Sequence, residues 1–254
     1  MLLAIDSGNT QTVVGLFDDE ELVDHWRIAT VAERTSDELA LMIQQFLGFH
    51  GFSFEANITG VSISSGVPMV TAALRAMTER YFGFAPLVIE PGIRTGMPIL
   101  YDNPKEVGAD RIANAVGAYD LYGGPSIVVD FGTATTIEAV SAKGEYLGGA
   151  IFPGIEISLD ALFGRAAGLR RIELVEPKHV IGKSTVESIQ SGVIYGFSGQ
   201  VDALVDRFRA ELGECTVIAT GGLAELIGPH TRSIQHYEPW LTLFGLRIVF
   251  ERNR

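Results

Sequence analysis

The stretch AIDSGNTQTVV, residues 4–14, runs from the apolar pair Ala4-Ile5 into an acid, Asp6, and then into Ser7-Gly8-Asn9-Thr10 before valines resume at Val13 and Val14. Branched apolar residues on either side of a Gly-Asn pair read as strand, tight turn, strand. Small residues around one carboxylate are poor core material. Either the turn only reverses the chain, or it holds something. Glycine and short side chains let backbone N–H groups approach an anion closely, so the second possibility has a mechanism.

The pattern recurs. Residues 127–140 read IVVDFGTATTIEAV, and setting Asp130 on Asp6 places Gly132 on Gly8, Thr136 on Thr12 and Ile137 on Val13. Beyond each second strand, DDEELVDHW (18–26) and AKGEYLGGA (142–150) both read as a polar turn leading into a third strand. A period this long indicates duplication of a whole domain, because solenoid units are far shorter.

Helices then alternate with strands in both halves. RTSDELALMIQQFLGF (34–49) puts Leu39, Met42, Ile43, Phe46 and Leu47 on one face, with Thr35 and Glu38 spaced as a capping box. A strand (58–65), a helix (69–82) and a strand (86–90) follow. In the second half, residues 184–213 form a long amphipathic helix opened by a Ser184/Glu187 capping box and stopped by Gly213. The strand TVIATGG (216–222) and a last helix at 240–251 complete that half. The expected fold is α/β: two similar lobes, residues 1–110 and 111–254, each a mixed β-sheet flanked by helices, with the boundary between 104 and 126 and a cleft between the lobes.

Bulk properties narrow the function. The 254 residues are 47% hydrophobic and 20% charged, enough to build real cores, and the formal net charge is −12. So acidic a surface argues against nucleic acid and anionic membrane as partners, since both need clustered Lys and Arg, but it does not argue against a small phosphorylated ligand. One cysteine, Cys215, leaves no intramolecular disulfide and is expected to be a buried thiol. No leader or membrane span is evident, and the five histidines lack zinc-like spacing. A soluble cytoplasmic protein is expected.

Two anion-cradling turns, each beside a strand-end carboxylate suited to a cation, provide what phosphoryl transfer from a nucleotide needs. Thr10, Thr133, Thr135 and Thr136 add hydroxyl donors. There is no G-x-x-x-x-G-K-[ST] stretch, so this is no P-loop. The pair Gly221-Gly222, ending an apolar strand, reads either as a simple strand-to-helix turn or as backbone that packs against a purine. Within NPKEVGADRIANAVGAY (103–119), Asp110 and Arg111 are either solvated on a helix or part of a cleft wall. Gly108 inside that helix would cost about 1 kcal/mol relative to Ala, which favours the wall.

Taken together, DSGNT (6–10), GADR (108–111), DFGTATT (130–136), GGAIFPG (148–154), GKSTVESIQSG (182–192) and ATGG (219–222) resemble, in order and along nearly the whole chain, the type III pantothenate kinases of the acetate and sugar kinase, Hsp70 and actin superfamily. One departure is Gln11, where that family often carries Asn or Lys.

The resemblance implies an ATP-dependent kinase that phosphorylates pantothenate to 4'-phosphopantothenate in coenzyme A biosynthesis. It implies Asp110 as general base, with Tyr101, Gly108, Ala109, Arg111 and Thr185 contacting pantothenate. ATP and its Mg2+ would lie against Asp6, Ser7, Gly8, Asn9, Thr10, Gln11, Thr12 and Val13, with Thr133, Gly221 and Gly222 also at the nucleotide. Asp130 would hold a monovalent cation, K+ or NH4+, and the protein would be a homodimer. The alternatives are a kinase of the same superfamily for another small hydroxy acid or sugar, a non-catalytic transcription accessory factor, and a chaperone-like ATPase. The last would need a client domain that this sequence lacks.

Overall fold

Each half of the chain begins with a strand that must be hydrogen-bonded on both edges, and the sheets grow outward from it. The computed structural model describes residues 1–166 and 168–254. In chain order the elements are β1 (Leu2–Ser7), β2 (Gln11–Asp18), β3 (Glu21–Ala29), α1 (Ser36–Gly48), α2 (Phe54–Asn57), β4 (Gly60–Ser65), α3 (Pro68–Phe82) and β5 (Leu87–Val88). Next come a 3-10 turn (Pro104–Glu106), α4 (Ala109–Tyr122), β6 (Ser126–Phe131), β7 (Ala134–Val140), β8 (Tyr146–Pro153) and α5 (Ile155–Arg165). The chain closes with α6 (Thr185–Leu212), β9 (Thr216–Thr220), α7 (Ala224–Ile227), β10 (His236–Tyr237) and α8 (Leu241–Arg252).

Two compact units result, Met1–Gly117 with Leu241–Arg254, and Ala118–Trp240. In the first, the sheet order is β3-β2-β1-β4-β5, antiparallel from β3 to β1 and parallel from β1 to β5. Leu3, Ile5, Val14 and Leu16 face one way and pack with Leu39, Ile43 and Leu47 of α1 and Leu74 and Met77 of α3. Each such side chain removed from water stabilises by roughly 1.5–3 kcal/mol. The Thr35 capping box that starts α1 is formed in both directions: Thr35 Oγ1 accepts from the Glu38 N–H and Glu38 Oε2 accepts from the Thr35 N–H at 2.8 Å. On the opposite face lies α8, where Phe244 meets Phe17 edge-on at 5.5 Å and the Leu246 carbonyl accepts from Ser62 Oγ at 3.0 Å.

The second unit has sheet order β10-β9-β6-β7-β8, the same topology with β6 in the place of β1. Its core joins Ile127, Val129, Phe131 and Ile137 of the sheet to Ile155 and Leu159 of α5 and Val193, Ile194, Phe197 and Val201 of α6. The repeat seen in the sequence is therefore a repeat of strand order. Its alignment slips by one residue, however. Asp6 pairs with Val13, whereas Asp130 pairs with Thr136. Thr136 thus takes the place of Val13, and Thr135 that of Thr12, because the second turn is one residue shorter.

Three further expectations are corrected. The last helix does not complete the second half but packs on the first sheet, so the compact units differ from the expected division at 1–110 and 111–254. Gly108 lies just before α4, not inside it, and its carbonyl accepts the Ile112 N–H at 3.1 Å, so no mid-helix penalty applies. At α6 only half of the capping box forms: Ser184 Oγ accepts from the Glu187 N–H, while the Glu187 carboxylate accepts from the Lys183 N–H at 3.0 Å. The helix α5 and the short strand β10 were not expected at all.

α4 and α8 cross within the first unit with almost no space between backbones. Thr242 Oγ1 is hydrogen-bonded to Asn114 Oδ1 at 2.7 Å, and a Cβ on Gly245 would run into the Ala113 carbonyl. Gly245→Ala should therefore destabilise the protein by about 2–3 kcal/mol through overpacking, read as a lowered midpoint in urea with an unchanged slope.

Candidate active site

The first hairpin turn is closed by the Gly8 N–H donating to the Gln11 carbonyl at 3.0 Å, and Gly8, Asn9, Thr10 and Gln11 are all exposed. Beneath it a chain of hydroxyls locks the strands: Ser7 Oγ and Thr12 Oγ1 are hydrogen-bonded at 2.8 Å, as are Thr12 Oγ1 and Thr30 Oγ1. Ser7 and Thr12 are buried, so they serve the frame beneath the turn. Asp6 and Val13 form a row on the other face of the sheet, half-buried, with Arg27 next in that row on β3. Arg27 donates to Gln11 Oε1 at 3.0 Å. Gly8 does not adopt the left-handed conformation, and a Cβ there would meet its nearest neighbour, the Gln11 carbonyl, at 3.4 Å. Backbone conformation is thus not the reason for glycine here.

The second turn, Gly132-Thr133, is built differently. Asp130 lies between Thr136 of β7 and Thr220 of β9, the three forming one row across the sheet. Glycines close in around it. Gly221 has φ +92°, and a Cβ on it would stand 2.5 Å from Asp130 Oδ1 and 2.6 Å from the Phe131 nitrogen. The Gly154 N–H donates to the Thr133 carbonyl at 3.2 Å, and a Cβ on Gly154 would stand 2.6 Å from the Gly132 carbonyl. Gly221 is therefore required by the protein's own packing, while Gly222 next to it is exposed. The hydroxyls of Thr135 and Thr136 are buried without a hydrogen-bond partner among the described residues. In the first unit the equivalent place of Thr135 is that of Thr12, which has two partners. An orphaned hydroxyl beside a carboxylate is a donor set that suits a hard cation.

At the start of α4, Asp110 is exposed and Arg111 is 7% exposed. The Arg111 N–H donates to Asp110 Oδ1 at 2.9 Å, which fixes the carboxylate in the helix's first turn. A Cβ on Gly108 would lie 2.5 Å from that same Oδ1, so Gly108 leaves the room in which the carboxylate sits. Ala109 and Tyr101 are half-buried in the same unit. Thr185 opens α6 in the second unit, exposed, on the wall of a cavity of about 920 Å3 shared with Ser158, Leu159, Leu162, Lys183 and Phe197. The Tyr122 phenol, at the other end of α4, is pushed up to about 12 by burial and then by the Glu238 carboxylate that accepts its hydrogen bond. Cys215 is buried, as expected, and burial raises its thiol against the lowering pull of Arg209.

Sequence reasoning missed the part of Gly154, whose signal lay in the GGAIFPG stretch, and that of α5, which lines the cavity. Apolar residues at Ile155, Leu159 and Leu162, spaced as on one helix face, could have revealed α5.

A sequence profile described as type III pantothenate kinase matches residues 2–207. The chain is 59% identical over 261 residues to the type III pantothenate kinase of Streptomyces griseus, with 100% of this chain and 98% of that one covered. It is 56% identical over 254 residues to that of Moorella thermoacetica, with both chains fully covered. Among solved structures it resembles a conserved Campylobacter jejuni protein assigned to the Baf family of transcriptional activators, at 19% identity and TM-score 0.63, over 99% of this chain and 98% of that one. It also resembles component A of the Acidaminococcus fermentans (R)-2-hydroxyglutaryl-CoA dehydratase, at 14% identity and TM-score 0.60, over 100% and 99%. At such identities these two likenesses show the fold alone.

The two turns should respond oppositely to substitution. Gly8→Val should leave stability within about 0.5 kcal/mol of wild type, because the site is exposed and its φ is ordinary. Gly221→Ala should cost about 1–3 kcal/mol, because a left-handed residue gains a Cβ against Asp130. Thermal unfolding of both variants checks the contrast.

Proposed function

The chain belongs to the type III pantothenate kinase family, and on that premise we propose that it transfers the γ-phosphoryl group of ATP to the primary hydroxyl of pantothenate, the first step of coenzyme A biosynthesis. The observation that carries the reading is the exposed Asp110 carboxylate, seated in the first turn of α4 by the Arg111 N–H and given room by Gly108. It is the general base: it takes the hydroxyl proton as the oxygen bonds to the γ-phosphorus and the bond to ADP breaks. Arg111 binds the substrate carboxylate, a task suited to a fixed guanidinium. Gly108, Ala109, Tyr101 and Thr185 complete the contacts to pantothenate.

On the donor side, the exposed turn from Gly8 to Gln11 receives the triphosphate, with Ser7, Thr12 and Val13 supporting it and Asp6 holding Mg2+. Magnesium, when bound, neutralises phosphate charge as it shifts toward the leaving group. Asp130 holds a monovalent cation, K+ or NH4+, supported by the orphaned hydroxyl of Thr136 in the same row. Thr133 contacts ATP, and Gly221 and Gly222 offer backbone to the nucleotide.

The protein acts in the cytoplasm as a homodimer. Exposed apolar side chains of the second unit support the dimer: Leu162 lies on α5, Val186 on α6, and Val180 and Ile181 on the segment before α6, with Ile181 83% exposed. Among the described residues no helix is long and apolar enough to cross a membrane.

An ADP-release assay with and without pantothenate tests the proposal, and release that ignores pantothenate overturns it. Nucleotide kinetics on the folded Gly8→Val protein should show lost ATP use. Asp110→Asn keeps the shape but removes the base, so kcat should fall on the order of 10² to 10⁴-fold with nucleotide binding retained. Turnover near wild type would place the base elsewhere. Asp130→Ala should lose most activity together with its dependence on potassium over sodium, whereas a variant still fully activated by potassium would remove the cation from Asp130.

A further inference from the structure

The segment from Glu90 to Leu100 carries the chain from β5 to Tyr101 with no helix of its own, and of residues 91–100 only Met97 is buried. Behind it lies a cavity of about 430 Å3, walled by Ile93, Met97 and Ile99 on one side and by Val107, Ala109 and Ile112 on the other. Packing from within therefore does little to hold the segment. The end of the chain holds it from outside.

Asn253 Oδ1 accepts from the Arg94 N–H at 3.2 Å, and Asn253 Nδ2 donates to the Arg94 carbonyl at 2.8 Å, so one amide satisfies both backbone groups of one residue. The same Nδ2 donates to the Val249 carbonyl at 2.8 Å, which ties the pair to α8. The Arg252 guanidinium donates to the Thr95 carbonyl and fills the space that a Cβ on Gly96 would occupy; Gly96 has φ +72°. Thr95 Oγ1 then donates to the Met97 carbonyl at 3.0 Å and accepts from the Met97 N–H at 3.2 Å. Clamp, turn and the one buried side chain are thus connected in series.

We infer that Arg252 and Asn253 are positioning residues for the acceptor side of the reaction: they fix the segment that delivers Tyr101 to the substrate. This rests on the role proposed above for Tyr101. None of these contacts involves the Gly8 turn, so the clamp should act on acceptor use and leave donor use alone. Misplacing a substrate contact by about an ångström can cost up to 10²-fold in rate, and loosening it through one intervening segment should raise the KM for pantothenate about tenfold.

The test compares wild type with Asn253→Ala, Arg252→Ala, Arg252→Lys and Gly96→Ala by steady-state kinetics in both substrates, and by hydrogen exchange of the amides of residues 94–101. Asn253→Ala, Arg252→Ala and Gly96→Ala should raise the KM for pantothenate with the KM for ATP unchanged, and should speed exchange across 94–101. Arg252→Lys keeps a cationic donor for the Thr95 carbonyl and should restore most of the wild-type KM. Faster exchange with an unchanged KM for pantothenate overturns the positioning role, and unchanged exchange overturns the clamp itself. A wild-type protein that does not phosphorylate pantothenate would instead sink the proposed function, and the exchange measurement would still decide the clamp.

Discussion

A strand with hydrogen-bonded neighbours on both edges cannot shift along its length without breaking two ladders, and this constraint fixes the acids of both halves. Asp6 is held between Val13 on the antiparallel side and Ser64 on the parallel side. Asp130 is held between Thr136 and Thr220 in the same way. A side chain at the end of such a strand is placed by the ladders on both edges rather than by its own packing, so the turn that follows is free to consist of small, exposed residues. The sheets, the helices that cover them and the cores of Leu, Ile and Val serve to keep β1 and β6 in the middle.

From that common frame the two turns have diverged. The first is satisfied from below: the hydroxyls of Ser7, Thr12 and Thr30 bond to one another, and nothing crowds Gly8. The second is enclosed by backbone, with Gly221 and Gly154 pressed against Asp130, Phe131, Gly132 and Thr133, and it leaves the hydroxyls of Thr135 and Thr136 without partners. A buried unsatisfied polar group costs about 1–3 kcal/mol, so a fold that keeps two of them on consecutive residues, one on each face of the strand, departs from what stability alone would select. Phe131 in the place of Ser7 explains one of the two, since it removes the hydroxyl that a threonine at position 135 would meet.

Much of this was legible in the sequence because it rests on local rules. Alternating strands, the reciprocal Thr35–Glu38 cap and the 28 residues of α6 follow from periodicity and capping chemistry. The candidate residues were legible as residue types beside turns. What escaped depends on pairing between distant segments. A one-residue shortening of the second turn changes which threonine stands beside Asp130, and only the strand register reveals it. The seat of α8 on the first sheet depends on Phe244 finding Phe17 and on a serine in β4 finding the Leu246 carbonyl, contacts that span most of the chain. The glycines were read as places for a ligand to approach. Space for such an approach exists at Gly8, but at Gly221 and Gly108 the approaching group is the protein's own carboxylate.

Gly108, Asp110 and Arg111 show how neighbouring letters can do different work. Successive residues of an α-helix point about 100° apart, so Asp110 and Arg111 cannot share a face. One turns out to solvent, and the other is 7% exposed. Their link is made instead through the backbone, where the Arg111 N–H, one of the donors that every helix start leaves without an intrahelical partner, is taken by the Asp110 carboxylate. The acid thereby takes one donor of its own helix start through a single oxygen. A glycine two residues earlier leaves room for this, because a Cβ at position 108 would stand 2.5 Å from Oδ1 and push the carboxylate aside. The same bond that satisfies a donor at the helix start also orients the carboxylate.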